Sequence, residues 1–151
     1  MRARDLAEDL PTVGLDTDAM EAARTLARHR IPGLVVLDGR SPYTVLPGSQ
    51  VLRFVIPSYV QDDPRLAGVY DERAADELCG RLAGRPVRDL LPRRPDPDDL
   101  PIADGDATSM VVAALMARLR SPVVAVVDKG VYVGAVTTSR LLDRLLPEQP
   151  R

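Results

Sequence analysis

The side chains most often used in catalysis and metal binding are scarce in this sequence. It contains one cysteine, Cys79, and one histidine, His29. A zinc site needs several His or Cys ligands, so these two residues predict none. Cys79 has no cysteine partner for an internal disulfide and suits a small, partly buried helix position in a reducing compartment. His29 lies between Arg28 and Arg30 at a predicted helix end, where cations suit the helix dipole.

The remaining composition argues against catalysis, nucleic-acid binding and membrane insertion. The sequence contains no Gly-rich phosphate loop, no nucleophile elbow and no histidine base, so we predict that it is not an enzyme. A net charge of −2 and an aromatic content of 3% predict no nucleic-acid partner. No apolar run approaches the ~20 residues that span a bilayer, and the N-terminus lacks the apolar region of a signal peptide. We therefore expect a cytoplasmic protein.

An internal repeat sets the organisation of the chain. Residues 9–52 align with residues 99–142 at an offset of 90, and 14 of 44 positions are identical. Two short lead-ins that read Arg-Asp-Leu, residues 4–6 and 88–90, precede the copies. Self-similarity of this extent indicates a duplicated structural unit.

Each copy predicts the element order β-α-β-β-α. The predicted pairs of elements are extended pieces at 12–15 and 102–103, helices at 17–29 and 107–119, strands at 33–37 and 123–127, strands at 43–46 and 131–136, and helices at 50–55 and 139–146. The continuous Val runs indicate strands buried on both faces, and the turns after Asp38 and Asp128 indicate hairpins. Asp16 and Asp106 are the expected N-caps of the first long helices. A unit of about 55 residues buries too little apolar surface to be more than marginally stable alone. We therefore expect the sheets of the two copies to pack against each other.

The segment between the copies has no counterpart elsewhere in the chain. It predicts a helix at 72–82 with one apolar face formed by Ala75, Leu78, Cys79 and Leu82. Two interpretations stay open: a structured connector that packs on the module, and a contact surface for a partner or for dimerisation. Residues 92–101, rich in Pro, Asp and Arg, predict an extended surface loop.

The second copy contains three groups of residues that match the pattern of a known family. These are the lead-in that ends at Leu90, Pro122 followed by an apolar run to Asp128, and Gly134 followed by two apolar residues and Thr137. The duplicated pattern resembles paired cystathionine-β-synthase (CBS) domains, the Bateman module. The resemblance implies an α/β (α+β) fold of two tandem CBS-type β-α-β-β-α repeats packed with pseudo-two-fold symmetry. The expected boundaries are a first repeat at 1–56, a connector at 57–85, a second repeat at 86–147 and a tail at 148–151.

The resemblance also implies a function. Such modules bind adenosine-containing ligands (AMP, ADP, ATP or S-adenosylmethionine) in the clefts between repeats, form homodimers, and regulate an enzyme or transporter. In this chain the regulation is expected in trans. The second copy is the better candidate for a nucleotide site, and the residues implied by the resemblance are Ile102, Ser121, Pro122, Val123, Thr137, Thr138 and Arg140.

The sequence departs from the family where the ribose is bound. The family's ribose-binding Asp aligns with Gln50 in the first copy and with Arg140 in the second. Neither side chain accepts two hydroxyl hydrogen bonds as a carboxylate does. Thr137 to Ser139 fit the cap of the last helix as well as a phosphate, and Arg140 fits a phosphate contact as well as a solvated helix position. A structural dimerisation or scaffold module that has lost nucleotide binding is therefore the alternative function.

Overall fold

The computed structural model describes residues 1–92 and 96–148, in which one order of elements occurs twice around a helical connector. The first half contains α1 (Ala3–Leu6), β1 (Thr12–Gly14), α2 (Ala19–His29), β2 (Gly33–Asp38), β3 (Ser41–Pro47) and α3 (Gly48–Val55). The connector contains α4 (Ser58–Asp62), a 3₁₀ turn (Pro64–Val69) and α5 (Glu72–Gly80). The second half contains 3₁₀ turns at Val87–Leu90 and Pro97–Asp99, then β4 (Ile102–Asp104), α6 (Ser109–Leu119), β5 (Val123–Asp128), β6 (Val131–Thr137) and α7 (Thr138–Leu145).

Two three-stranded sheets carry the duplication. In the first, β1 is parallel to β2 and β2 is antiparallel to β3; β4, β5 and β6 repeat this arrangement. Both hairpins shift register at the same place, after Val36 and after Val126. The long helices α2 and α6 both end at an arginine in the left-handed conformation, Arg30 and Arg120. The predicted mixed α+β fold of two β-α-β-β-α repeats is confirmed.

The two sheets pack face to face through small aliphatic side chains. Their shared cluster consists of Val35, Val45, Val123, Ala125 and Ala135, all buried. Because the sequence has one Phe and no Trp, this interface depends on shape and aliphatic burial rather than on aromatic stacking.

Each lead-in packs on the repeat that it does not precede. Ala3 and Leu6 of α1, both 0% exposed, join the core of the second repeat. Val87 and Leu90 join the core of the first repeat. Backbone hydrogen bonds follow the same exchange, since Ala3 N–H donates to Ala107 O at 2.7 Å and Val87 N–H donates to Thr17 O at 2.8 Å. The boundaries 1–56 and 86–147 stay a prediction. In the packed structure, the core of each repeat includes the lead-in that stands before the other repeat.

The predicted N-caps, Asp16 and Asp106, were wrong. The capping residues are Asp18 and Thr108, and the Thr108 hydroxyl accepts from Val111 N–H at 3.3 Å. Asp16 instead forms an ion pair with Arg88, and Asp106 forms one with Arg4. Both aspartates lie two residues before the caps, where the exchanged lead-ins pass, and so they hold the arginines of those lead-ins.

The connector is a small helical layer with few buried side chains. Val60 is the buried residue of α4, and Leu82, which follows α5, is buried in the core of the first repeat. Asp71 caps α5 by accepting from Ala74 N–H at 2.8 Å. The predicted helix is confirmed but ends at Gly80, and Cys79 is exposed rather than partly buried.

Parts of two sequence predictions fall outside the described residues. These are residues 149–151 of the predicted tail and residues 93–95 of the predicted surface loop. Within the described part of the chain, no helix combines the length and apolar character needed to cross a membrane. The same part contains no group of three or more His, Cys, Asp or Glu side chains that could hold a metal ion.

Candidate functional site

The start of α7 is the place where the sequence left two roles open for Thr137 to Ser139, a helix cap and a phosphate site. The Thr137 hydroxyl oxygen accepts from Arg140 N–H at 3.2 Å and lies 3.2 Å from the Ser139 hydroxyl. Thr137 is therefore the N-cap of α7, which satisfies one of the free backbone donors at the helix start. The predicted capping role is confirmed.

The neighbouring hydroxyls are also engaged inside the chain. Thr138 donates from its N–H at 3.1 Å and from its hydroxyl at 3.3 Å to the carbonyl of Pro122. The Ser121 hydroxyl donates to Val123 O at 2.6 Å. These bonds tie the start of α7 to the segment that enters β5.

Gln50 and Arg140, which stand at equivalent positions of the two repeats, perform the same task. The Gln50 side-chain amide donates to Leu90 O at 3.0 Å, and Arg140 Nε donates to Leu6 O at 3.4 Å. Leu90 and Leu6 are the last residues of the exchanged lead-ins. Arg140 Nε also lies 3.3 Å from Glu8 Oε1. Arg140 is therefore neither a solvated helix residue nor an unengaged phosphate ligand; like Gln50, it holds a lead-in in place.

The main chain of residues 7 and 8 covers the edge of β6 beside Arg140. Glu8 exchanges two backbone hydrogen bonds with Ala135, at 2.8 and 2.9 Å. A Cβ added at Gly134 would lie 2.9 Å from the Ala7 Cβ and 3.0 Å from Glu8 O. Gly134 is thus required for this close approach, and we call the covered region the Arg140 cleft.

The pseudo-equivalent region of the first repeat is a groove with a volume of about 210 Å³. At offset 90, Thr44 stands where the second repeat has Gly134. We call this groove the Gln50 cleft. Its lining residues come from both repeats: Thr44, Val45, Pro47, Gln50, Pro92, Asp99, Pro101, Leu119, Arg120 and Ser121.

The seven residues proposed from sequence do not meet in one cavity. Ser121 lines the Gln50 cleft, whereas Arg140 contacts Leu6 and Glu8 beside the other cleft and Thr137 caps α7. Ile102 and Val123 belong to the cluster between the sheets, and Val123 is 0% exposed. The three residues Ser121, Pro122 and Thr138 are brought together, but on the outer groove described below.

Sequence reasoning missed the charged residues of the Gln50 cleft. Asp99 Oδ1 lies 2.7 Å from Arg118 Nη2. Arg120 is exposed at the C-cap of α6, and no ion pair or hydrogen bond joins its side chain to another described residue. Asp99 precedes β4 and has an identical counterpart in Asp9, which was the signal that could have drawn attention to it.

Two apolar grooves lie on the outer helices of the two repeats. The groove between α6 and α7 measures about 450 Å³, and the groove between α2 and α3 about 340 Å³. They are related by the repeat, because Ala113, Met116, Ala117, Leu141 and Leu142 stand 90 positions after Ala23, Leu26, Ala27, Val51 and Leu52. Leu52 is 59% exposed and Leu142 is 46% exposed, so both grooves present aliphatic surface to the outside.

Comparison with known proteins gives one consistent family. A family model described as the CBS domain matches residues 3–43. No curated protein sequence matches the chain. A solved CBS domain-containing protein of unknown function from Kribbella flavida is 53% identical over 96% of this chain and 98% of its own, with a TM-score of 0.78.

Two further solved structures match at lower identity. The CBS domain of a CBS domain-containing membrane protein from Sphaerobacter thermophilus is 26% identical over 98% of this chain and 90% of its own, with a TM-score of 0.69. CBSX2, solved in complex with AMP, is 19% identical over 95% of this chain and 94% of its own, with a TM-score of 0.65. At that identity the likeness to CBSX2 is one of fold.

Proposed function

Because the chain belongs to the CBS-domain family as a tandem CBS-domain protein, we propose that it is a non-catalytic regulatory module. In this proposal it senses an adenosine-type nucleotide between its two repeats and controls a partner protein, a transporter or an enzyme, in trans. The observation that carries the proposal is the Gln50 cleft, a groove lined by residues of both repeats. A protein of the same fold, CBSX2, was solved with AMP, which supports AMP, ADP, ATP or S-adenosylmethionine as the ligand class.

We place the nucleotide in the Gln50 cleft rather than beside Thr137, Thr138 and Arg140. Beside Arg140 the backbone of Ala7 and Glu8 is bonded to the edge of β6, and the hydroxyls already have partners. The Gln50 cleft has apolar walls at Val45 and Pro101 for a base. Of the residues implied by the resemblance, Ser121 is the one that lines it.

Charge also favours this cleft. Arg120 lies at its rim, and its guanidinium makes no described ion pair. A guanidinium binds phosphate oxygens with two parallel hydrogen bonds, which makes an arginine without a carboxylate partner suited to a nucleotide phosphate.

The position of the cleft gives the proposal a mechanism. Thr44 to Gln50 belong to the first repeat, and Pro101 and Ser121 belong to the second. A ligand that contacts both repeats stabilises the packing that best accommodates it, so binding shifts the equilibrium between arrangements of the two sheets. A partner that contacts both repeats would sense that shift.

We further propose that the two outer grooves form a homodimer interface. Both are aliphatic, both lie on helices outside the inter-sheet core, and a two-fold axis can pair each groove with a copy of itself. Leu142→Glu, which puts a charge into the groove between α6 and α7, should convert a dimer into a monomer. Light scattering should give twice the 16.4 kDa chain mass for the wild type and for Val69→Glu, a control at an 85% exposed connector residue. A monomeric wild type, or a dimeric Leu142→Glu, would contradict this interface.

A ligand-free scaffold is the second candidate function. It is favoured by one observation, namely that Gln50 and Arg140 both use their side chains to hold a lead-in carbonyl. In that case the former ribose positions have become structural, and the module acts through its outer surface alone.

Calorimetric titration with AMP, ADP, ATP and S-adenosylmethionine separates the two functions. We expect saturable binding by the wild type that is lost in Thr44→Tyr, since a larger side chain would fill the Gln50 cleft. Arg140→Gln is the matched control, because it gives the second repeat the residue that the first already has. It should bind as the wild type does. Absence of binding by the wild type at millimolar nucleotide would favour the scaffold. Binding that survives Thr44→Tyr but not Arg140→Gln would move the site to the Arg140 cleft.

A further inference from the structure

We propose that Asp99 receives the ribose hydroxyls of the nucleotide, so that the carboxylate missing from the first repeat is supplied by the second. This inference rests on the proposed function and specifies its ligand as a ribonucleotide. Among the described residues that line the Gln50 cleft, Asp99 is the one acid.

The backbone places Asp99 at a fixed point on the wall of the cleft. It is the last residue of the 3₁₀ turn Pro97–Asp99, and its N–H donates to Asp96 O at 2.8 Å. Two residues later, buried Pro101 accepts from Ala125 N–H at 2.9 Å, which anchors the segment to β5. Asp99 is therefore held between a turn and a strand rather than on an untethered loop.

Arg118 orients the carboxylate and leaves it capacity to accept. Arg118 Nη2 lies 2.7 Å from Oδ1 of Asp99, whose side chain is 37% exposed. An ionised carboxylate has about four acceptor positions on its two oxygens, so a single arginine contact does not saturate it. A group that is already held in one geometry loses less freedom when the ligand binds.

The other polar side chains that line the cleft besides Arg120, namely Thr44, Gln50 and Ser121, are neutral and therefore weaker acceptors than a carboxylate. The Gln50 side-chain amide donates to Leu90 O. The Ser121 hydroxyl donates to Val123 O. Two adjacent ribose hydroxyls are hydrogen-bond donors, and Asp99 is the acceptor in the cleft that carries a full negative charge. Arg120, also at the cleft, provides the opposite charge. A molecule with neighbouring hydroxyl donors and an anionic group complements this pair of charges, and a nucleoside phosphate has both.

The repeat provides a matched control. Asp9 is identical to Asp99 at offset 90, but it follows Glu8, whose backbone is bonded to β6. Asp9 thus carries the same charge in the segment that is bonded to β6, and it does not line the Gln50 cleft. Removing either charge changes the net charge of the protein equally, and only the change at Asp99 alters the cleft that we assign to the nucleotide.

The test compares AMP with 2′,3′-dideoxy-AMP, which lacks both hydroxyls, by calorimetry on the full chain. Hydrogen bonds to a charged group contribute enough that the wild type should bind AMP at least about tenfold more tightly than the dideoxy compound. In Asp99→Asn that ratio should fall towards one, mainly through weaker AMP binding. Asp9→Asn should retain the wild-type ratio, whereas Arg118→Gln, which keeps the carboxylate but removes the contact that orients it, should lower the ratio only in part.

The outcomes distinguish this inference from the proposed function. A wild type that binds both compounds equally would overturn the role of Asp99 while leaving nucleotide binding in place. An Asp99→Asn protein that keeps the full ratio would do the same. A wild type that binds neither compound would refute the proposed function and, with it, the inference. The wild-type ratio needs no variant, so the inference stays falsifiable even where Asp99→Asn does not fold.

Discussion

Because the lead-ins are exchanged, we predict that a mutation in the first lead-in destabilises the second repeat more than the first. Leu6→Ala removes three carbon atoms from a side chain that is 0% exposed in the core of the second repeat. The lost transfer free energy is about 2.4 kcal/mol at about 0.8 kcal/mol per carbon. The cavity left behind adds to it, for a total destabilisation of about 3 to 4 kcal/mol. That is a large fraction of the roughly 5 to 15 kcal/mol by which domains are stable.

Native-state hydrogen exchange shows where that loss falls. Because Leu6 packs with Val112, Val124 and Val136, amides of β5, β6 and α6 should exchange faster in Leu6→Ala. Amides of β2 and β3 should change less. Leu90→Ala is the reciprocal variant, since Leu90 packs in the first repeat, and it should show the reverse pattern. Faster exchange in β2 and β3 of Leu6→Ala, with β5 and β6 unchanged, would refute the exchange of lead-ins.

Two further predictions concern β6. Gly134→Ala should destabilise the protein by roughly 1 to 3 kcal/mol in urea unfolding, because the new Cβ would lie 2.9 Å from that of Ala7. Gly68→Ala, where nothing lies within 4 Å, should have little effect, and equal losses would contradict the close approach. Burial, and then the charge of Asp9, raise the pKa of Tyr132 above its ordinary value of 10.0. The folded state therefore keeps a proton that the unfolded state releases, and stability should fall as the pH rises above 10.0. In melting curves between neutral and alkaline pH, Tyr132→Phe should lose less stability than the wild type. An unchanged pH dependence would contradict the raised pKa of Tyr132 as its cause.

The fold could be predicted because the duplication is still readable in the sequence. Identical residues such as Pro32 and Pro122 align the two hairpins. Continuous Val runs and turn residues then define the strands, since both signals are local. The same reasoning failed at the helix starts. Locally Asp16 fits a cap as well as Asp18 does, and the backbone at the start of α2 is bonded to the segment of the opposite lead-in, Ala19 N–H to Arg85 O at 2.7 Å and Val87 N–H to Thr17 O at 2.8 Å.

The exchange of lead-ins could not be predicted. Both lead-ins read Arg-Asp-Leu, and Asp16 and Asp106 offer the same partner to either arginine. Local sequence therefore fits either pairing equally well. The packed structure shows which arginine each aspartate holds.

The candidate site was predicted only in part, for a related reason. The resemblance pointed to Ser121 and to Thr137 as members of one site, yet the clefts combine the end of one repeat with the entry of the other. Ser121 thereby meets Gln50 and Asp99 rather than Arg140. The resemblance implies an acid at position 50, where this sequence has Gln50. An acid from residue 99 could be placed beside it only once the packing of the repeats was known.

The most direct test of nucleotide sensing is a titration of the ¹⁵N-labelled protein with AMP, followed by amide chemical shifts. We predict saturable shifts that are largest at the Gln50 cleft, at Thr44, Val45, Gln50, Arg120 and Ser121. Amides from Thr137 to Arg140 should stay near their starting positions. No shift at millimolar AMP, or shifts confined to Thr137 to Arg140, would contradict the account.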